Sequence, residues 1–143
     1  DICVKIAATA LTISPIAVVG LRELVVNAVE HGNLEISFDE KTELLASGEW
    51  QAEIERRLGT VEMRDRFATV ELRLDDDSYT IGIIDQGKGF NSGVFLDPET
   101  APAALLHGRG MALAMEAGFS SVEYRGAGNE VAIQGICDPD AQA

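Results

Sequence analysis

The sequence predicts an α/β fold of two layers, and three observations carry that expectation. Apolar residues recur at helical spacing from Ile2 to His31; the period drops to two from Phe67 onward; and two short alternating runs, 121–125 and 130–136, flank a Gly-Ala-Gly-Asn turn. Helices gathered on one face of a sheet are the packing that this order of elements favours. At 143 residues the chain has the length of one domain, 1–143. Its hydrophobic content of 46% against 24% charged residues supplies a core of ordinary size. The net charge of −13, spread over most connections without a basic cluster, argues against nucleic acid and anionic membrane as partners. No apolar run reaches the roughly 18 residues of a membrane span. Any polyphosphate ligand must then be held by backbone amides, a metal and a few local cations.

Taken in order, Ile2 to Leu11 has few charges and reads as a short, mostly buried helix. Cys3 and Cys137 form no metal or redox spacing and are expected to be reduced core thiols of a cytoplasmic protein. Without an initiator methionine or signal peptide, and with numbering that starts inside an apolar run, the chain reads as a piece of a longer one. Ser14-Pro15 is an N-cap followed by proline at the first helical position, and Gly32 is a stop, which predicts a helix over 15–31. On it Glu23 and Asn27 stand four apart, so a carboxylate and a carboxamide share one face, with His31 a turn further on. That pairing occurs on solvated helix faces too. On a largely buried helix it is costly unless something polar, such as a metal-bound anion, faces it.

Residues 33–66 are polar and hold the only tryptophan. Ser37-Phe38-Asp39-Glu40 matches a capping box and predicts a helix over 38–46. Ser47 is then expected to cap a second helix on which Trp50, Ile54 and Leu58 form an apolar stripe, while Glu53, Glu55, Arg56 and Arg57 face water. This helical insertion, 34–58, either packs against the domain edge or is a dedicated binding element. In the following strand Val70, Leu72 and Leu74 alternate with Glu71 and Arg73, giving one wet face. Asp75-Asp76-Asp77-Ser78 makes a solvated turn rather than a metal site, and Tyr79 to Ile84 returns.

The returning strand ends in Asp85-Gln86-Gly87-Lys88-Gly89-Phe90. A carboxylate fixed at a strand end, beside glycines two apart, suits the close approach of a flat ligand, although a plain strand-to-loop turn has the same composition. Asn91 to Leu106 is long and breaker-rich, as lids are. Gly108, Arg109 and Gly110 then open an apolar helix over 109–117, where free amides, the helix dipole and a cation favour an anion; tight helix packing is the alternative use of the glycines. Gly118 stops this helix, the closing hairpin follows, and the tail, 138–143, is expected to be loose.

A helix with Glu and Asn, a strand ending in Asp-x-Gly-x-Gly, a lid, and Gly-x-Gly opening a helix together resemble the GHKL ATPase superfamily and its Bergerat nucleotide-binding fold. Within it the chain looks most like bacterial anti-sigma-factor serine/threonine kinases and the related ATPase domains of multidomain phosphatase regulators. The resemblance covers 15–136 apart from the insertion. It implies a mixed, mainly antiparallel sheet covered on one face by helices 2–11, 15–31 and 109–117. It also implies that Asn27 supplies an oxygen to Mg2+ on the ATP phosphates and that Glu23 is the general base. Asp85 would accept a hydrogen bond from the adenine amino group, Gly87 and Gly89 would let backbone approach the nucleotide, and Gly108, Arg109 and Gly110 would hold phosphate oxygens. His31 is expected to hydrogen-bond locally.

The implied activity is ATP-dependent phosphorylation of a STAS-domain anti-anti-sigma protein, with a sigma factor as competing partner and a homodimer through the sheet edge. Two departures stand out. Asn129-Glu130-Val131 lacks the threonine that relatives carry near the last strand, so that contact falls to Asn129 or is missing. No N-terminal strand is evident before Ile2. Two other readings remain open from sequence: a nucleotide-gated binding module without turnover, and the catalytic domain of a histidine kinase.

Overall fold

The computed structural model describes residues 2–11, 13–90 and 119–137. Two helices come first, α1 (Ile2–Leu11) and α2 (Pro15–Asn27), and α2 runs on as a π-helix over Ala28–Asn33. The insertion holds α3 (Phe38–Ser47) and α4 (Trp50–Leu58), and the strands are β1 (Thr69–Asp75), β2 (Ser78–Ile84), β3 (Ser121–Arg125) and β4 (Glu130–Ile136). The expected lid, the helix over 109–117 and the loose tail lie outside the described residues.

The strands form one sheet in the order β1-β2-β4-β3, with all three pairings antiparallel. Alternation dictates which side chains share a face. Pairing puts Val70, Ile83, Val131 and Tyr124 in one row across the sheet and Leu72, Ile81, Ile133 and Val122 in the next. Ile81, Ile83, Val131 and Ile133 are buried against Val4, Ala7 and Leu11 of α1 and Ala17, Leu21 and Leu24 of α2. This is the two-layer α/β packing that the alternating periods predict. Tyr79 lies in the same face opposite Gly135, and any Cβ at Gly135 would collide with its ring.

Three local expectations change. Leu72 and Leu74 point to the core face yet remain 38% and 54% exposed, because β1 is an edge strand and the buried cluster reaches only Val70 on it. Cys3 is exposed on α1 instead of buried, and Cys137 is half-buried; both are free thiols. The insertion keeps its capping box, with Ser37 Oγ accepting from Glu40 N at 3.1 Å, but Ser47 closes α3 and Glu49 precedes α4.

The apolar stripe of α4 docks only in part, with Trp50 and Ile54 half-buried. Leu58 is exposed, whereas Arg57, expected to face water, is buried. Its guanidinium donates to the Leu34 carbonyl at 2.7 Å, to Glu53 at 2.6 Å and to Glu40. Three fixed acceptors match the planar fork of arginine and satisfy a charge that burial would otherwise penalise. Lys41 supplies a second tie, 2.5 Å from Glu30 and 5.0 Å from the centre of the Trp50 ring. The acidic turn after β1 is a tight hairpin with exposed aspartates, as the sequence suggests.

The Tyr79–Gly135 contact makes a test of the core. Gly135→Ala should cost about 1–3 kcal/mol in urea unfolding through overpacking. Tyr79→Leu in the same chain should return part of that loss.

Candidate functional site

The site begins at the junction of α2 with its π continuation. Ser14 caps α2, its Oγ accepting from Ala17 N at 3.3 Å, and Pro15 occupies the first turn. Past Asn27 the winding widens, so Gly32 does not end the helix as its identity predicts; the end comes at Asn33. Such segments are rare and cluster at functional sites. Here the wider turn places Asn33, 4% exposed, beneath the end of β2, where its Oδ1 accepts the Gln86 N–H at 2.8 Å. His31 Nδ1 lies 2.5 Å from the Ile36 carbonyl oxygen, the local bond expected of it.

Asp85 follows β2 directly. Its N–H donates to the Asn129 carbonyl at 3.0 Å, and its Oδ1 accepts from Gly87 N at 2.8 Å. The α-carbon of Gly32 presses on the Asp85 carboxyl so closely that a Cβ would overlap it, and a Cβ on Gly87 would overlap the Gly32 carbonyl. Gly89 and Gly128, at φ 76° and 92°, interlock in the same manner: each meets backbone of the other's turn where a side chain cannot fit. Helix end, strand end and closing hairpin are thereby fastened at one point.

These elements surround a cavity of about 390 Å³. Leu24, Ala28, Ile36, Ile83 and Val131 give it apolar walls, while Asn27, Asp85, Glu35, Lys88 and Asn129 bring polar groups. Burial pushes the Asp85 carboxyl above its ordinary range, opposed by the Gly87 N–H and the Arg66 charge. Glu35 moves the other way: hydrogen bonds from Lys88 at 2.9 Å and Arg66 at 2.8 Å hold its carboxyl low. Arg66 also donates to the Asn33 carbonyl at 2.8 Å, so the linker before β1 is tied to the same corner. A largely apolar cavity with a carboxylate in its lining can receive a heterocycle that donates through an exocyclic amino group.

Of the residues singled out from sequence, Asn27, Asp85 and Gly89 line this one cavity, and Gly87 backs Asp85. Glu23 is half-buried on α2 one turn before Asn27 and is not among the lining residues. Gly108, Arg109 and Gly110 lie outside the described residues. Among the described residues no group of three or more His, Cys, Asp or Glu is placed to hold a metal, so a cation here would draw on the Asn27 oxygen and on ligand oxygens. Asn129 stands where a threonine was expected, and its amide is engaged with Asp85 O and Ala127 N, both at 3.3 Å. Sequence reasoning passed over Gly32, Asn33, Glu35 and Arg66. Gly32 carried a signal that served two readings, since a helix stop and a close approach both call for glycine.

The Asp85 environment has a pH signature. A carboxyl whose folded-state pKa is raised keeps its proton in the folded state across a window where the unfolded state has lost it. Stability therefore falls as pH rises through that window, and the deficit persists above it. Asp85→Asn should be at least as resistant to urea as the parent chain at pH 7. That advantage should shrink as pH falls toward the ordinary aspartate value of 3.8.

Compared with known families, residues 13–134 match the model of the histidine kinase-like ATPase domain. No curated protein and no solved structure matches the chain.

Proposed function

The chain belongs to the histidine kinase-like ATPase family, an ATP-binding domain type, and from that premise we propose that it is a protein serine/threonine kinase of the anti-sigma-factor kind. The reading assigns it Mg-ATP as phosphoryl donor, a STAS-domain protein as acceptor, a sigma factor as rival partner and the cytoplasm as its place of work. What carries it is the convergence of Asn27 from α2 and Asp85 from the end of β2 on one cavity, with Glu23 a turn away on the same helix. Among the described residues no helix is long and apolar enough to cross a membrane.

Each residue then has a definite task. Asp85 accepts from the adenine amino group and selects ATP over GTP. Asn27 offers its side-chain oxygen to the cation. Bound ATP with magnesium supplies the phosphoryl group and most of the charge neutralisation. Glu23 takes the proton from an attacking serine or threonine hydroxyl as the new O–P bond forms and the bond to the ADP oxygen breaks. A base outside the lining of the nucleotide cavity suits an acceptor that is itself a protein. Gly108, Arg109 and Gly110 are assigned the phosphate oxygens by resemblance.

Terminally labelled ATP, magnesium and STAS-domain proteins from the same cell provide the test. Label should appear on one serine or threonine. Glu23→Gln should lower the transfer rate by about a hundredfold or more with ATP binding retained, and Asn27→Ala should abolish the label. Partner control that survives Glu23→Gln, with no label from the parent chain, would instead identify a nucleotide-gated binding module. Label on a histidine would identify a histidine kinase.

A further inference from the structure

The insertion does more than pack against the domain edge. Ser37 and Phe38, the cap and first residue of α3, line the cavity together with Asn27 and Asp85. The Phe38 ring stacks on His31, with centroids 3.9 Å apart and an interplanar angle of 31°. This pair joins Phe90 and Tyr124, themselves an edge-on pair with centroids 5.1 Å apart, as the aromatic part of the cavity wall.

A relay fixes where that ring stands. Buried Arg57 donates to Glu40, whose carboxylate also accepts from the Ser37 N–H at 3.4 Å, while Ser37 Oγ accepts from Glu40 N. This reciprocal cap sets the start of α3, and the start of α3 sets Phe38. The same guanidinium holds the Leu34 carbonyl, in the segment that joins the π-helix to α3. Both ends of the stretch between Asn33 and Phe38 are thus anchored from α4. An edge decoration would require none of this to face the cavity.

We propose that the α3–α4 insertion is a working wall of the nucleotide site: Phe38 presents an aromatic face to the base, and Arg57 is a positioning residue that acts through the Glu40–Ser37 cap. The proposal rests on the ATP-binding reading. A purine has two broad π faces, and aromatic side chains that stack on bases contribute strongly to affinity without reading base identity. Discrimination between bases stays with Asp85, and Phe38 adds affinity for any flat ring.

Calorimetric titration of the chain with Mg-ATP tests this directly. Phe38→Ala and Phe38→Leu should each raise the Kd about tenfold, and Phe38→Tyr should leave it within about twofold. The affinity ratio of ATP to GTP should stay unchanged across the series. Arg57→Gln should raise the Kd in the parent chain and have little effect in a Phe38→Ala background, because a residue acting through Phe38 has nothing left to position. A merely structural role for Arg57 would weaken binding in both backgrounds. Phe38→Leu that binds ATP as the parent does would overturn the proposal while leaving ATP binding intact. A parent chain that binds no ATP would overturn the functional reading itself.

Discussion

The Asp85 carboxyl rests against the bare α-carbon of Gly32, and the rest of the site depends on that contact. It decides how near the end of α2 can come to the end of β2, and so whether Asn27 and Asp85 can share a cavity at all. Close approach of this kind needs an absent side chain on one partner and a shape-matched backbone on the other. Gly87 supplies the second, with its N–H on Asp85 and its own α-carbon against the Gly32 carbonyl. Burial at this corner lifts the carboxyl's pKa, against the Gly87 N–H and the Arg66 charge. A half-buried carboxylate with one oxygen held by the Gly87 N–H is placed to accept from a further donor.

Around this point charge is arranged in a graded way. Asp85 is half-buried and accepts from the Gly87 N–H, with the Arg66 charge acting on it from further off. Glu35 is paired with both Arg66 and Lys88. Of the carboxylates that line the cavity, Glu35 is thus balanced by two cations, while Asp85 is met by a backbone N–H.

Much of this was legible beforehand where the determinant is local. The Ser37–Glu40 box, the Ser14-Pro15 start and the alternating strands each involve residues within a few positions, and all appear as read. Asp85 could be singled out because a carboxylate ending an apolar strand beside paired glycines is a short-range pattern. What escaped was set by distant partners. Arg57 reads as a solvent-facing charge because its acceptors, Leu34 and Glu40, become neighbours only after folding. Leu72 and Leu74 alternate as buried residues do, yet periodicity cannot say which strand will lie at an edge. The change from α to π winding leaves no compositional mark, because the residue types are those of an ordinary helix.

That winding change has a consequence for how the domain tolerates alteration. Both ends of Ala28–Asn33 are committed, Asn27 to the cavity and Asn33 to the Gln86 amide. Relative to α winding, the segment carries surplus length between two fixed points. The i→i+5 winding fits one more residue into a turn than the α-helix does. Loss of one residue there, with a return to regular pitch, would leave the chain beyond near its present direction, whereas loss of one from α2 itself would turn it by about 100°. The six residues are therefore where α2 absorbs a surplus residue, and a deletion is better tolerated there than in the regular turns before Asn27.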